Sequence, residues 1–253
     1  MWHSSSWTGA AHITHLIRNT DLLKSTWELR WKPVCGSTEI ELSRWLKSKS
    51  LLRSNPKVFL TRRQSYGKGQ RGRRWISPSG GVWLSAALPC NSLQPFSESL
   101  FGLAVAVALA NRIENCSVPV QIKWPNDLFV NHRKIAGLLP RIIYRGQEPT
   151  FMCVGIGLNV WNRVPHEGIA LREVFRRSKC STYRWSLEVL AAIERAARLL
   201  ENPGLICKEG ERMLWARKIT KPGSDKIWDI EGLDLKGQLV VTRGIKKEIW
   251  NRW

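Results

Sequence analysis

Four short segments of this 253-residue chain hold residue types whose spacing could do chemistry. The first, residues 62–75 (RRQSYGKGQRGRRW), has six Lys or Arg among fourteen residues, three glycines and no acid. Glycines let a backbone turn tightly and aim several N–H groups at one anion. Flanking guanidiniums bind carboxylate or phosphate through paired, charge-assisted bonds. Such a loop could wrap a small acid together with a nucleotide phosphate, and Trp75 offers a flat face for an adenine ring. The competing reading is an RG-rich nucleic-acid segment or a solvated basic loop. It loses ground because apolar, strand-like segments flank the loop.

The second segment is KWPND at 123–127, where a strand ends at a proline turn. A lysine, an amide and a carboxylate within five residues suit triphosphate and metal contacts, although Asn-Asp turns after proline are also common. The third is RKIAGL at 133–138. Gly137 permits close approach of a ligand, and Lys134 faces wherever strand alternation directs it. The fourth, VGIGLNV at 154–160, is an apolar strand whose two glycines bare one sheet face and whose Asn159 is a polar anchor.

The elements that must position these segments follow from periodicity and punctuation. Ser37 and Thr38 are good N-caps, and Ile40, Leu42, Trp45 and Leu46 form a helical face ending near Ser50. Strands are expected at 58–61, 81–88, 121–124 and 151–157, with a hairpin at 128–130 and 134–144 around an Asn131–His132 turn. Helices are expected at 97–115, apolar over most of its circumference, and at 184–200 and 205–216. Beyond Pro222, alternating segments at 226–230 and 237–242 suggest a β-barrel-like appendix of about 40 residues. Residues 1–33 show one apolar patch at 13–16 and are expected to be a poorly structured extension. Hairpin connections in a mixed α/β chain argue against a fully parallel sheet.

Composition bounds the classes. Hydrophobic residues make up 43% and charged residues 24%, which excludes wholesale disorder. No apolar run approaches the ~18 residues of a membrane span. A formal charge of +20 favours acidic partners, or is a basic solvated surface. The six cysteines, at 35, 90, 116, 153, 180 and 207, show no CxxC or His-paired metal spacing, so reduced thiols are expected rather than a disulfide frame or zinc site. The start lacks the apolar core of a secretory signal, and a cytoplasmic location is expected.

Taken together, Ser37-Thr38, 64–75, KWPND, RKIAG, VGIGLN and GLDLKGQL at 232–239 resemble the biotin–protein ligase family from about residue 34 to 242. The family pattern is a Ser-Thr pair, Q..GRGRxGR.W, KWPND, RK.AG, VGIGxN and G(I/L)D..G.L. The resemblance implies a mixed, mostly antiparallel sheet with flanking helices, class II aminoacyl-tRNA synthetase-like, and a small SH3-like β-barrel C-terminal domain. It divides the chain into 1–33, a catalytic domain at 34–216, and 217–253.

It implies a ligase that joins biotin and ATP, with Mg2+, into biotinyl-AMP and transfers biotin to a lysine of an acidic biotin carboxyl carrier protein. Lys134 and Lys68 match the catalytic lysines. Ser37, Thr38, Glu39, Gln64, Gly67, Lys68, Gly69, Gln70, Lys134 and Gly137 match the biotin site. Arg71, Arg73, Trp75, Lys123, Asn126, Asp127 and Asn159 match the ATP site, with direct metal ligands open.

The chain departs from the pattern at Lys68 and Gln70, which replace two arginines, at Glu39 where Asn is common, and at Arg141 where an acid is usual. About thirty residues before the Ser-Thr pair are too few for a winged helix, so no DNA-binding module is expected; a homodimer is compatible with the fold. The alternatives are a lipoate- or octanoate-protein ligase, a basic nucleic-acid-binding protein, and a family member that binds biotin without transferring it.

Overall fold

The hydrophobic run GLAVAVALA lies within α3 (Glu98–Glu114), twelve of whose seventeen residues are buried. A helix apolar on nearly every side needs cover on nearly every side. In the computed structural model, which describes residues 9–47, 55–90, 98–176, 180–221 and 223–251, α3 is packed between a β-sheet and two helices, α4 (Thr182–Leu199) and α5 (Pro203–Arg212).

The sheet has seven strands: β1 (Glu28–Cys35), β2 (Lys57–Gln64), β3 (Val82–Pro89), β4 (Gln121–Lys123), β5 (Asp127–Val130), β6 (Arg133–Arg145) and β7 (Glu148–Leu158). Their order is β1-β2-β3-β7-β6-β5-β4. Only the β1–β2 pair is parallel; the other pairs are antiparallel, as hairpin connections require. The sheet is therefore mixed and mostly antiparallel, as expected.

Strand alternation sorts the two faces. Val58, Leu60, Val82, Leu84, Ala86, Val154, Ile156 and Leu158 join α3 and α4 in the main core. On the opposite face, Phe59, Ala87, Phe151 and Cys153 pack under Leu42 and Trp45 of α2 (Thr38–Leu46). Helix α2 covers only one end of that face. The other end, carrying Ser85, Gly137, Gly155 and Gly157, is left for the cleft described below.

The segment expected to be poorly structured at 1–33 contains α1 (Ala10–Arg18) and most of β1. What holds it is a long-range acceptor. The carboxylate of Glu194 in α4, 4% exposed, accepts from the backbone N–H of Lys24 (2.8 Å) and Ser25 (2.9 Å) and from Nε1 of Trp27 (2.9 Å). Residues 1–8, in that extension, and 48–50, which the first expected helix included, lie outside the described residues.

The C-terminal appendix is a four-stranded open antiparallel sheet in the order β11-β10-β9-β8. Its strands are β8 (Lys218–Thr220), β9 (Ile227–Leu233), β10 (Leu239–Arg243) and β11 (Lys246–Trp250). Its core of Ile219, Trp228, Leu239, Val241 and Trp250 includes Trp124 and Leu214 from the larger unit. The Trp124 indole also donates to the Gly237 carbonyl, at 3.0 Å. The KWPND turn and the appendix are thus fastened to one another. Among the described residues, no helix is long and apolar enough to cross a membrane.

Candidate active site

Three glycines make the floor of the cleft. Gly157 pairs with Gly137 across β7 and β6, and Gly155 lies one rung further along, opposite Leu139. Side chains at these positions would fill the space above the sheet. A Cβ on Gly157 would lie 2.3 Å from Nε1 of Trp75, and one on Gly137 would lie 3.0 Å from the same indole. The bare face expected from VGIGLNV is real, and part of what occupies it is Trp75. The cleft above has a volume of ≈350 Å³.

The basic loop closes over this floor as a folded hairpin. Gln64 bridges Ser77 and Lys68 bridges Arg74. Gly69 donates to the Arg73 carbonyl and Trp75 to that of Gly67, both at 2.8 Å. The tip turns through Arg71 (φ 55°) and Gly72 (φ 73°). Lys68, Gly69, Gln70, Arg71, Arg73 and Trp75 all line the cleft, joined by Arg74, which the sequence reading did not single out. Gly67 is not part of the lining. A Cβ there would come within 2.4 Å of the Trp75 carbonyl oxygen, so this glycine lets the two arms of the loop meet.

One wall of the cleft is a polar network. The Gln64 side-chain carbonyl accepts from the backbone N–H (2.8 Å) and hydroxyl (3.2 Å) of Thr38, while its amide donates to Ser77 Oγ (2.8 Å). Thr38 and Ser85 share a hydrogen bond between hydroxyls at 2.9 Å. Ser37, Thr38, Ser77 and Ser85 are all buried. Helix α2 starts here, but the Ser37 hydroxyl makes no capping bond, which leaves it available at the cleft wall. Ser85 was missed because a lone serine in an apolar strand carries no signal until a partner across the sheet is known.

Lys134 reaches the cleft through a bulge. Plain alternation would put it on the face of Ala136 and Leu138, in the core. The pairing of β5 with β6 runs Leu128–Ala136 and then Phe129–Lys134, so Ile135 is an extra residue. That insertion turns Lys134 to the cleft side, a re-aiming that bulges make near functional sites. Its Nζ is 2.7 Å from Asp127 Oδ2 and 4.9 Å from the centre of the Trp75 ring.

The amides do anchoring work. Asn126 is buried and donates to the Leu138 carbonyl, fixing the KWPND turn to β6. Asn159 accepts from Nδ2 of Asn162 (3.0 Å), and its backbone N–H bonds the Ile135 carbonyl (2.9 Å), so the end of β7 is tied beside Lys134. Both still present surface to the cleft.

Lys123 departs from the expected set. It does not line the cleft; its ammonium lies over the Trp215 (4.9 Å) and Phe129 (5.6 Å) rings. Glu39 does line it, ion-paired with Arg141. Among the described residues no group of three or more His, Cys, Asp or Glu could by itself hold a metal ion.

Residues 38–159 match the model of the Biotin/lipoate A/B protein ligase family. It is 35% identical over 113 residues to "Biotin--protein ligase 1, chloroplastic" of Arabidopsis thaliana, covering 43% of this chain and 30% of that protein. It is 35% identical over 108 residues to "Bifunctional ligase/repressor BirA" of Bacillus subtilis (strain 168), covering 42% of this chain and 32% of that protein. The matched segment thus spans about a third of the length of these curated relatives. Among solved structures, the biotin protein ligase from Aquifex aeolicus in complex with biotin and ATP superposes with a TM-score of 0.66 at 22% identity, over 90% of this chain and 95% of that one. That likeness establishes the α/β fold.

Proposed function

We propose that this chain is a biotin–protein ligase. The biotin carboxylate oxygen attacks the α-phosphorus of ATP, pyrophosphate leaves, and biotinyl-AMP forms. A neutral lysine amine of a carrier domain then attacks the carbonyl of that anhydride; AMP leaves and an amide bond forms. The observation that carries this reading is one cleft that joins the Thr38–Gln64–Ser85 network, a glycine floor and Lys134 under an arginine-rich hairpin.

Each part has a chemical task. The Thr38–Gln64–Ser85 wall suits a polar ring head, because burying unpaired polar groups costs about 1–3 kcal/mol each. Lys134 is placed to hold a carboxylate against a phosphate and to offset the charge that develops between them. Lys68, Arg71, Arg73 and Arg74 surround the phosphates, and Trp75 offers its face to the base. Asp127 fits a Mg2+ that arrives on the ATP phosphates, since such ions take one or two carboxylates and keep their remaining ligands from phosphate and water. Mg2+ would there neutralise phosphate charge; Asp127 and Lys134 share the position at which it would do so.

On this reading, the catalytic domain runs through 34–216, and 217–253 is an SH3-like barrel left open between β8 and β11. The larger fold is class II aminoacyl-tRNA synthetase-like, and the enzyme works in the cytoplasm. The +20 charge steers an acidic carrier toward the cleft.

The test is the complete reaction. Purified protein with biotin, ATP and Mg2+ should add one biotinyl group to the target lysine of an apo-carrier domain, read by intact mass. Loading of lipoyl or octanoyl groups in its place would move the assignment to the sister ligases of the same family.

A further inference from the structure

Three acids line the cleft, and two of them are committed. Glu39 is ion-paired with Arg141, and Asp127 with Lys134. The third, Glu167, is exposed at the lip, and its carboxylate makes no hydrogen bond or ion pair with any described residue. The chain nevertheless fixes where it stands. Residues 165–168 form a turn closed by a bond from the Gly168 N–H to the Pro165 carbonyl, at 2.9 Å, and Glu167 is its third residue. The turn is clipped to β6 at Lys134 itself: the Lys134 N–H donates to the Glu167 carbonyl (2.8 Å) and the Ile169 N–H to the Lys134 carbonyl (2.9 Å). Arg133 holds the same turn from the side, its Nε donating to the Gly168 carbonyl and its Nη2 to Glu173 Oε2, both at 2.8 Å. Backbones bridged in this way lie about 5 Å apart, so the Glu167 side chain starts one strand spacing from Lys134.

The transfer step has one requirement that no residue named so far meets. When the carrier amine attacks the biotinyl carbonyl, its nitrogen gains positive charge and must shed a proton. Lys68, Arg71, Arg73 and Arg74 line the same cleft; they suit phosphates and oppose a developing cation. Of the cleft's acids, Glu167 alone is both uncommitted and open to a lysine arriving from outside. We infer that Glu167 is the proton acceptor of the transfer step, a catalytic residue that touches the incoming lysine of the carrier. The inference rests on the biotin-ligase reading and deepens it. The amine lone pair forms the C–N bond, the bond from the carbonyl carbon to the phosphate oxygen breaks, and its electron pair leaves with AMP. The proton released by the nitrogen passes to the Glu167 carboxylate and from there to water. Exposure serves this role, since the lysine belongs to another protein and the proton has to return to solvent. The clip to Lys134 holds the base beside the reacting group.

The experiment starts from biotinyl-AMP, supplied at saturating concentration without ATP, so that adenylation does not enter the rate. Transfer to the apo-carrier domain is followed by intact mass in single turnover, and wild-type protein should load one biotinyl group. Glu167→Gln keeps the shape without the base and should slow transfer by about a hundredfold. Glu167→Asp should fall between the two. Glu167→Ala should be as slow as Glu167→Gln, and acetate or formate should speed it in proportion to concentration, because the lip admits a small carboxylate from solvent. Such rescue separates a missing base from a disturbed loop, which an added carboxylate cannot repair.

Transfer at the wild-type rate in Glu167→Gln overturns the inference, and so does a slow Glu167→Ala that acetate and formate leave unchanged; in both cases the ligase reading stands. A wild-type protein that loads no biotin from biotinyl-AMP overturns the ligase reading itself, and this inference with it.

Discussion

Gly157 is the position where a single added methyl group should disturb the cleft most. Replacing it by alanine adds one methyl group directly beneath the Trp75 indole, 2.3 Å from Nε1, 2.5 Å from Cε2 and 2.9 Å from Cζ2. Non-bonded carbon atoms settle at about 3.5–4.0 Å, so the ring has to move by about 1.2 Å or more. It cannot slide sideways freely. The ring also sits close over the neighbouring strand, where a Cβ on Gly137 would lie 3.0 Å from it, and Trp83 stands edge-on with ring centroids 6.4 Å apart.

The indole therefore lifts off the floor into the cleft, and its contact with the Lys134 ammonium, now 4.9 Å from the ring centre, is disturbed. Overpacking of this size costs about 1–3 kcal/mol, or roughly 3–10 °C in melting temperature for a protein of this length. The larger effect is on adenylation, because a misplacement of about 1 Å among positioning groups costs about a hundredfold in rate. The assay is melting temperature and biotin-dependent pyrophosphate exchange for Gly157→Ala, Trp75→Leu and the double variant. Trp75→Leu removes the obstructed ring, so the double variant should be less than additively impaired in stability. Gly157→Ala with wild-type exchange and wild-type melting would refute the claim that Trp75 is seated on the glycine floor.

Other consequences are tested at separate places. Glu194→Leu leaves three donors around Lys24, Ser25 and Trp27 without their acceptor and should lower unfolding free energy by about 3 kcal/mol, read by urea denaturation, with the N-terminal segment losing protection from hydrogen exchange first. Burial pushes the thiol of Cys153 up to about 12 and that of Cys90 up to about 11. Thiolate, the reactive form, falls about tenfold for each pH unit below those values, so both should react far more slowly with Ellman's reagent in native protein near about pH 8 than once it is unfolded. Gln70→Arg adds a cation to the loop over the cleft and should reduce biotinylation of bystander lysines by released biotinyl-AMP; unchanged bystander labelling would show that the loop already holds the adenylate.

The parts legible in the sequence were those whose signal is local. α3 is a continuous apolar run with polar ends, and the β5–β6 hairpin is announced by an Asn131–His132 turn, whose residues adopt φ of 49° and 59°. The four chemical segments do meet in one cleft, since each sits at a strand end or loop of the same sheet face. The N-terminal segment was illegible because β1 is an edge strand rich in charge, paired in parallel with a strand about thirty residues on, and its anchor Glu194 is 167–170 residues away.

Side-chain direction was the other blind spot. A bulge at Ile135 turns Lys134 toward the cleft, while Lys123, at the end of β4, packs over Phe129 and Trp215 outside it. No run of letters reports a one-residue register shift. In the appendix, β8 is three residues long and β11 opens with Lys-Lys-Glu before Ile249 and Trp250, so two of four strands lack a hydrophobic alternation to read.

Lys134 and the cleft around it are proposed to activate biotin with ATP. The most direct test is acid-dependent ATP–pyrophosphate exchange with biotin, lipoate and octanoate, in wild-type protein and in Lys134→Ala. Exchange is expected with biotin alone, and it should be lost in the substituted protein while ATP still binds. Exchange that persists without Lys134, or that lipoate or octanoate drives in place of biotin, would contradict it.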